Sequence, residues 1–222
     1  MKHEPFNEST EMYLKTVSEL APAGEMVAIS ALARRLGVST VSATEMIHRL
    51  QDQDLVEHVP YKGIHLTGQG QRLATEIERS HRLWECFLVE QLQLPWEDVH
   101  DLACRLEHAT DSTVVDALDV FLDHPQTCPH GNPIPRPGSP LTAGEEITLA
   151  ALQPGETARI RAIRPESNVL LEYLARNELR PGREVFVTEI APFNGPIMLD
   201  VAGAPRAVGQ EVAGHILVER TS

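Results

Sequence analysis

Six prolines, Pro125, Pro129, Pro133, Pro135, Pro137 and Pro140, fall within one short stretch that also holds Gly131 and Gly138. Proline fixes φ and lacks a backbone donor, so neither a helix interior nor a central strand can run through residues 125–140. The stretch reads as a semi-rigid extended linker. It also divides two periodicities. Before it, apolar residues recur at helical spacing. After it come short β-branched runs, TARIRAI, REVFVTEI, PIMLDVA and HILVER, separated by Gly- and Pro-containing turns. The spacing predicts a mainly α chain with a C-terminal all-β domain, a small β-barrel or sandwich over residues 141–222.

In the N-terminal part, residues 7–20 read as a helix capped by Ser9 or Asn7, with Met12, Leu14, Val17 and Leu20 in register and Pro22 and Gly24 ending it. Residues 29–36 form a short amphipathic helix broken by Gly37. A second helix over 40–53 turns Val41, Ile47 and Leu50 inward. The alternating stretch 55–67 reads as a β-hairpin, and a long helix follows from Thr67 to about Leu92. Pro95 then opens WEDVHDLACRLEHA at a position suited to a first helical turn, and Asp111 or Ser112 caps STVVDALDVFLDH. Two short helices, a hairpin and a long helix in that order predict a winged helix-turn-helix, with its second helix in the major groove of DNA. Ser39, Thr40, Ser42, Thr44, His48 and Arg49 fall on the outer face of that helix, and Lys62 at the hairpin tip. Small hydroxyl side chains permit close approach and phosphate contacts. The predicted partition is a DNA-binding domain over 1–75, a helical domain with the linker over 76–140 and the β domain over 141–222.

The net charge of −13 is unusual for a chain that binds phosphate. Its distribution is uneven: residues 1–75 carry 7 basic against 9 acidic side chains, and residues 76–222 carry 12 against 23. The N-terminal third is near neutral, and the acidity beyond it suits cation ligands. MKHEPFNESTEMYLKT lacks the apolar run of a signal peptide, and no stretch reaches the roughly 18 apolar residues of a membrane span. Three cysteines fit a reducing compartment better than a disulfide framework, so a cytoplasmic location is expected.

The chemistry concentrates in VHDLACRLEHA. At about 100° per residue, Cys104, Glu107 and His108 lie at about 40°, −20° and 80° from His100, beside the apolar face made by Val99, Leu102, Ala103 and Leu106. Four donors at the edge of a buried face favour a divalent cation, since unpaired buried charge is costly. His81 and Glu85 add an i, i+4 pair of ligand type on the preceding helix. Taken singly, each residue also has an ordinary structural role, as a solvated histidine or a core cysteine.

STEMYLKT, SHRLWE (80–85), VHDLACRLEHA (99–109) and HGNPIP (130–135) closely resemble the diphtheria toxin repressor family, which includes the iron- and manganese-dependent repressors. The resemblance covers residues 7–135 almost without a break. It implies an SH3-like β domain, a helical dimerisation domain, a homodimer on a pseudo-palindromic double-stranded DNA operator, and two sites per subunit for Fe²⁺ or Mn²⁺. By resemblance the regulatory site uses Met12, Cys104, Glu107 and His108, tying the first helix to the dimerisation helices, and the ancillary site uses His81, Glu85 and His100. The β domain of the family also donates ligands, for which Glu166 and Glu172 are candidates. The loop TCPHGNPIP departs from the iron-type pattern by carrying Cys128, and His130 beside it resembles some manganese-type repressors. Both could complete the ancillary site with Glu85, or be loop residues without a ligand role. Soft Met and Cys donors favour Fe²⁺, whereas the CPHG loop points to Mn²⁺.

A metalloenzyme would need an open coordination position and a positioned base, and no HExxH, GxSxG or P-loop sequence is present. A winged-helix regulator with a purely structural metal site and a different trigger is the nearer alternative.

Overall fold

Leu14, Leu32, Ile47 and Leu50 have no exposed surface in the first of two compact units, which comprises residues 1–80 with 135–139; the second comprises 81–134 with 140–222. The computed structural model describes residues 8–21, 25–136 and 146–221. Asn7, Pro22, Gly24, Pro137, Gly138 and Pro140 lie outside the described residues.

The first unit holds α1 (Glu8–Leu20), α2 (Ile29–Leu36), α3 (Thr40–Asp52) and the hairpin β1 (Val56–Val59) and β2 (Gly63–Leu66). Each buried Leu or Ile stabilises this core by about 2 kcal/mol. In α3 the inward positions are Ala43, Ile47 and Leu50, spaced i, i+4, i+7. Val41 does not join them, contrary to expectation: it lies about a third of a turn away from Ile47 and is 70% exposed. Ser39 caps α3, its Oγ accepting from Ser42 N at 3.0 Å. The hairpin pairs Val56 with Leu66 and Val59 with Gly63. Gly63 has φ 123°, and a Cβ there would strike the carbonyl of Val27, which bonds to Ile64 N at 2.9 Å. No longer side chain lets the hairpin close on that segment.

Helix α4 (Gly68–Glu90) runs 23 residues, close to the expected span, and the unit boundary falls within it. Thr67 caps it, accepting from Gly70 N at 3.1 Å and donating to the Asp54 carbonyl at 2.6 Å. In the second unit α5 (His100–His108) begins five residues later than Pro95 suggests. The intervening residues have another use: the carbonyl of Trp96 accepts from His130 Nε2 at 2.8 Å, and its ring lies 5.5 Å from that imidazole. Helix α6 (Ser112–Phe121) is capped by Asp111, which accepts from Val114 N at 3.1 Å.

The C-terminal region forms a six-stranded antiparallel sheet in the order β3-β8-β4-β5-β6-β7. Its strands are β3 (Ile147–Thr148), β4 (Thr157–Ile163), β5 (Glu184–Ile190), β6 (Ile197–Val201), β7 (Ala204–Val208) and β8 (Ile216–Arg220). Inward residues such as Ile160, Val187, Leu199 and Ile216 fill its core. Helices α7 (Asn168–Arg176) and α8 (Gln210–Ala213) complete it; α7 buries Leu171 and Leu174. The sequence reading held no helix here, although Leu171 and Leu174 stand at helical spacing.

Residues 125–134 are not an extended linker. Ile134 N bonds to Gln126 O at 2.9 Å and Cys128 N to Asn132 O at 2.9 Å, while Cys128, His130, Asn132 and Ile134 are buried. Pro125, Pro129 and Pro133 remove donors, but the amides between them close a tight loop. Gly131, at φ 83°, sits where a Cβ would strike the Arg161 carbonyl. That close approach lets Ile163 N reach His130 O at 3.0 Å. No helix among the described residues is long and apolar enough to cross a membrane.

Candidate metal centre and DNA-reading face

One turn of α4 places His81 and Glu85 on the same side of the helix, and both are buried. Helix α5 supplies His100, the 125–134 loop supplies Cys128 and His130, and the segment after β4 supplies Glu166. His81 Nε2 lies 2.9 Å from Glu85 Oε1 and 3.2 Å from His100 Nδ1. His100 Nδ1 lies 3.3 Å from Glu85 Oε1 and 3.1 Å from Glu166 Oε2. Adjacent donors on one cation with bonds of about 2.1 Å stand roughly 3.0–3.4 Å apart. These spacings therefore fit a coordination shell.

The histidines are held as metal ligands usually are, with one ring nitrogen anchored and the other turned to the centre. His81 Nδ1 donates to Glu107 Oε2 at 2.5 Å, leaving Nε2 toward the carboxylates. His130 Nε2 donates to the Trp96 carbonyl, leaving Nδ1 3.0 Å from Glu85 Oε1 and 3.7 Å from Glu166 Oε2. Asn132 fixes Glu166 from the other side: its Nδ2 donates to Glu166 and to Ile163 O, and its Oδ1 accepts from Arg164 Nε at 2.6 Å.

The electrostatics agree. Burial disfavours the Glu85 carboxylate, but the charges of His81 and His130 and hydrogen bonds from His100 and His130 hold it well below the usual carboxylate range. Burial and the charge of Glu85 push Glu166 up; hydrogen bonds from His100 and His81 and the charge of His130 outweigh them and bring it to about 2. Burial opposes the His100 imidazolium, yet hydrogen bonds to Cys104, Glu166 and Glu85 raise it to about 11. His130 moves the same way, against its burial, through Glu85 and Glu166. Burial, then the charges of Glu85 and Glu166, push the Cys128 thiol well up. Two carboxylates sunk among protein atoms thus recruit protons onto imidazoles, a charge a cation can replace.

Of the residues assigned to the regulatory site, Glu107 is buried, with Oε1 3.4 Å from His108 Nε2. Cys104 Sγ lies 3.8 Å from His81 Nδ1 and 3.9 Å from His100 Nε2, and forms a candidate cation-binding group with those two rings. Met12 is on α1 in the first unit, 43% exposed, its carbonyl accepting from Thr16 Oγ1 at 2.8 Å. Glu172 pairs with Arg176 at 3.0 Å on the exposed side of α7 and is not part of the cluster.

Of the residues expected to read DNA, Ser39, Thr40, Ser42 and Arg49 are exposed along α3 and Lys62 on the hairpin turn, while Thr44 is half-buried and donates to Thr40 O at 2.8 Å. Val41, Thr44, Glu45, His48 and Arg49 line a shallow groove on the same face.

Residues 5–64 match the family described as iron dependent repressor, N-terminal DNA binding domain, and residues 67–136 the iron dependent repressor metal binding and dimerisation domain. Residues 147–220 match the FeoA domain. The chain is 34% identical over 179 residues to the diphtheria toxin repressor of Corynebacterium jeikeium (strain K411), covering 78% of this chain and 75% of that protein. It belongs to the diphtheria toxin repressor family. It is 38% identical over 128 residues to the iron-dependent repressor IdeR of Mycobacterium tuberculosis (strain ATCC 25618 / H37Rv), a match over 58% of this chain and just over half, 56%, of that protein. Among solved structures it is similar to a manganese-dependent transcriptional repressor in complex with manganese, at 32% identity over 96% of this chain and 100% of that one, with a TM-score of 0.85. ScaR with bound Cd²⁺ gives 32% identity over 96% and 99% of the two chains, with a TM-score of 0.83.

In this member of the diphtheria toxin repressor family, two supporting groups have no local sequence signal: the Asn132 amide that holds Glu166 and the Trp96 carbonyl that holds His130. On α3, periodicity places Glu45 on the exposed face beside Thr44.

Proposed function

We infer that the chain is a divalent-cation-dependent transcriptional repressor, activated by Fe²⁺ or Mn²⁺, that binds double-stranded operator DNA as a homodimer; it is a regulator and not an enzyme. The observation that carries this is the buried set of three imidazoles on Glu85 and Glu166, in a chain that also presents an exposed helix-turn-helix face. Its working location is the cytoplasm, where the operator and a reducing pool for Cys104 and Cys128 coincide. Residues 1–75 read DNA, 76–140 bind metal and dimerise, and 141–222 form the SH3-like domain that lends Glu166.

The regulatory set is Met12, Cys104, Glu107 and His108, and the ancillary set His81, Glu85 and His100 with Cys128, His130 and Glu166. The family resemblance supports the first set, and the donor spacings support the second. A bound divalent cation supplies the positive charge that these buried carboxylates otherwise draw from protonated histidines. The regulatory ion is the switch that makes the helix-turn-helix competent to bind DNA. Each subunit then presents α3 at a fixed spacing, which favours a pseudo-palindromic operator. Ser39, Thr40, Ser42 and Thr44 approach the groove, while Arg49 and Lys62 contact phosphates.

Hydroxyl-radical footprinting on DNA selected from a random pool tests this. Protection should fall in two inverted half-sites about one helical turn, or a multiple of it, apart, and only with Fe²⁺ or Mn²⁺ present. A single asymmetric footprint, or one that persists in chelator, contradicts it.

A further inference from the structure

We propose that Glu85 and Glu166 are shared by two cation positions, one completed by His81 and His100 and the other by Cys128 and His130, so that the ancillary centre holds two divalent transition-metal ions. This rests on the ancillary site described above and goes one ion further. Among the described residues the donors form three overlapping groups, His81, His100 and Cys104; His81, Glu85, His100 and Glu166; and Glu85, Cys128, His130 and Glu166, each with its atoms within 4.8 Å of one another. Neither His81 nor His100 enters a group with Cys128 or His130. Trans donors on a cation with bonds of about 2.1 Å stand about 4.2 Å apart, so one position does not reach all six.

Glu85 is the hinge of the arrangement. Its Oε1 faces His81 Nε2 at 2.9 Å, His130 Nδ1 at 3.0 Å and His100 Nδ1 at 3.3 Å. Its Oε2, in a residue with no exposed surface, meets no hydrogen-bond donor. His130 is equally buried; with Nε2 committed to the Trp96 carbonyl, Nδ1 is the nitrogen turned to Glu85 Oε1, 3.0 Å away. A buried carboxylate oxygen without a hydrogen-bond partner, and an imidazole nitrogen that faces only the two carboxylates, are the donors a second cation would take. Carboxylates shared this way commonly hold ions about 3.5–4 Å apart.

Charge and softness fit the division. Two divalent cations against two carboxylates and the Cys128 thiolate leave one net positive charge, and Glu107 at His81 Nδ1 offsets it. The Cys128 and His130 position, with a sulfur donor, favours softer ions such as Fe²⁺ or Zn²⁺; the His81 and His100 position faces Glu85 and Glu166 through ring nitrogens and accepts Mn²⁺ as well.

Equilibrium dialysis of the whole chain against Co²⁺, with ultraviolet sulfur-to-cobalt charge-transfer absorption, tests the proposal. The expected count is about three ions per subunit: one regulatory and two ancillary. Cys128→Ser should lower the count to about two and cut the charge-transfer intensity by about half, leaving the Cys104 contribution. His100→Ala should also lower it to about two while keeping the Cys128 band. About two ions in the unaltered chain overturns the shared centre but leaves a single ancillary site standing. About one ion overturns both. An unchanged count in Cys128→Ser removes Cys128 from the ligands, and the count in the unaltered chain decides even where a variant fails to fold.

Discussion

His81 Nδ1 lies 2.5 Å from Glu107 Oε2, while Nε2 of the same ring lies 2.9 Å from Glu85 Oε1. A single imidazole therefore joins the carboxylate cluster to the α5 residue assigned to the regulatory set. Removing the Glu107 charge should be felt on both sides of that ring. We predict that Glu107→Gln weakens cation binding at His81 by about 10–100-fold, the usual cost of losing such an anchor. Glu107→Ala or His108→Ala should also abolish cation-dependent operator binding with the fold intact. Calorimetric cation titration, operator binding and circular dichroism check these outcomes; unchanged operator affinity would remove the two residues from the regulatory set.

The shifted groups around Glu166 make cation binding and stability depend on pH in opposite directions. His100 sits at about 11 against an ordinary 6.5, so its pairing stabilises the metal-free fold fully below about pH 6.5 and is lost as pH climbs through about 11. Glu166 sits at about 2 against 4.5, so its contribution is present above about pH 4.5 and lost as pH falls toward about 2. The metal-free chain should melt highest between those limits. Cation affinity should instead keep rising with pH, up to about tenfold per unit for each proton displaced from His100 or His130. Titrations at about pH 6 and 8 in two buffers check both; an affinity flat with pH would show that no imidazolium is displaced.

Gly131 should tolerate no side chain. Its positive φ and the Arg161 carbonyl beside its Cβ direction together predict that Gly131→Ala costs about 1–3 kcal/mol and shifts the loop that carries Cys128 and His130. Thermal melts of the metal-free chain measure the first effect, and cation binding the second. A wild-type melt would show that the loop is not seated on β4 as described.

Lys62 and Arg49 are both exposed and are the basic residues proposed to contact phosphates. Lys62→Ala should weaken operator binding about equally on specific and unrelated DNA, and reduce the salt slope by about one. Fluorescence anisotropy across a salt series checks this. An unaltered slope would place Lys62 off the interface.

Much of this was legible in the sequence where one element carried the signal. The i, i+4 spacing of His81 and Glu85 and the 100–108 donor run announced their helices, and α4 and the hairpin formed close to where expected. What the sequence hid was long-range. Prolines in 125–134 predicted an extended link, yet a few amides and Asn132 fold it against β4 and bury His130. Nothing in the spacing links Glu166 to His100, 66 residues apart in number but 3.1 Å apart in space. Glu172, equally acidic and nearby in sequence, goes instead to Arg176. Local periodicity does not report such pairings, and α5 starts at His100 because Trp96 is held by His130 rather than by a helix.

The central claim is that a bound cation switches the DNA-reading unit on. Anisotropy of a labelled operator with the purified chain in Fe²⁺, in Mn²⁺ and in chelator tests it most directly. The account predicts tight binding with at least one of the two cations, and loss by about a hundredfold or more in chelator. Equal affinity in all three conditions would contradict it.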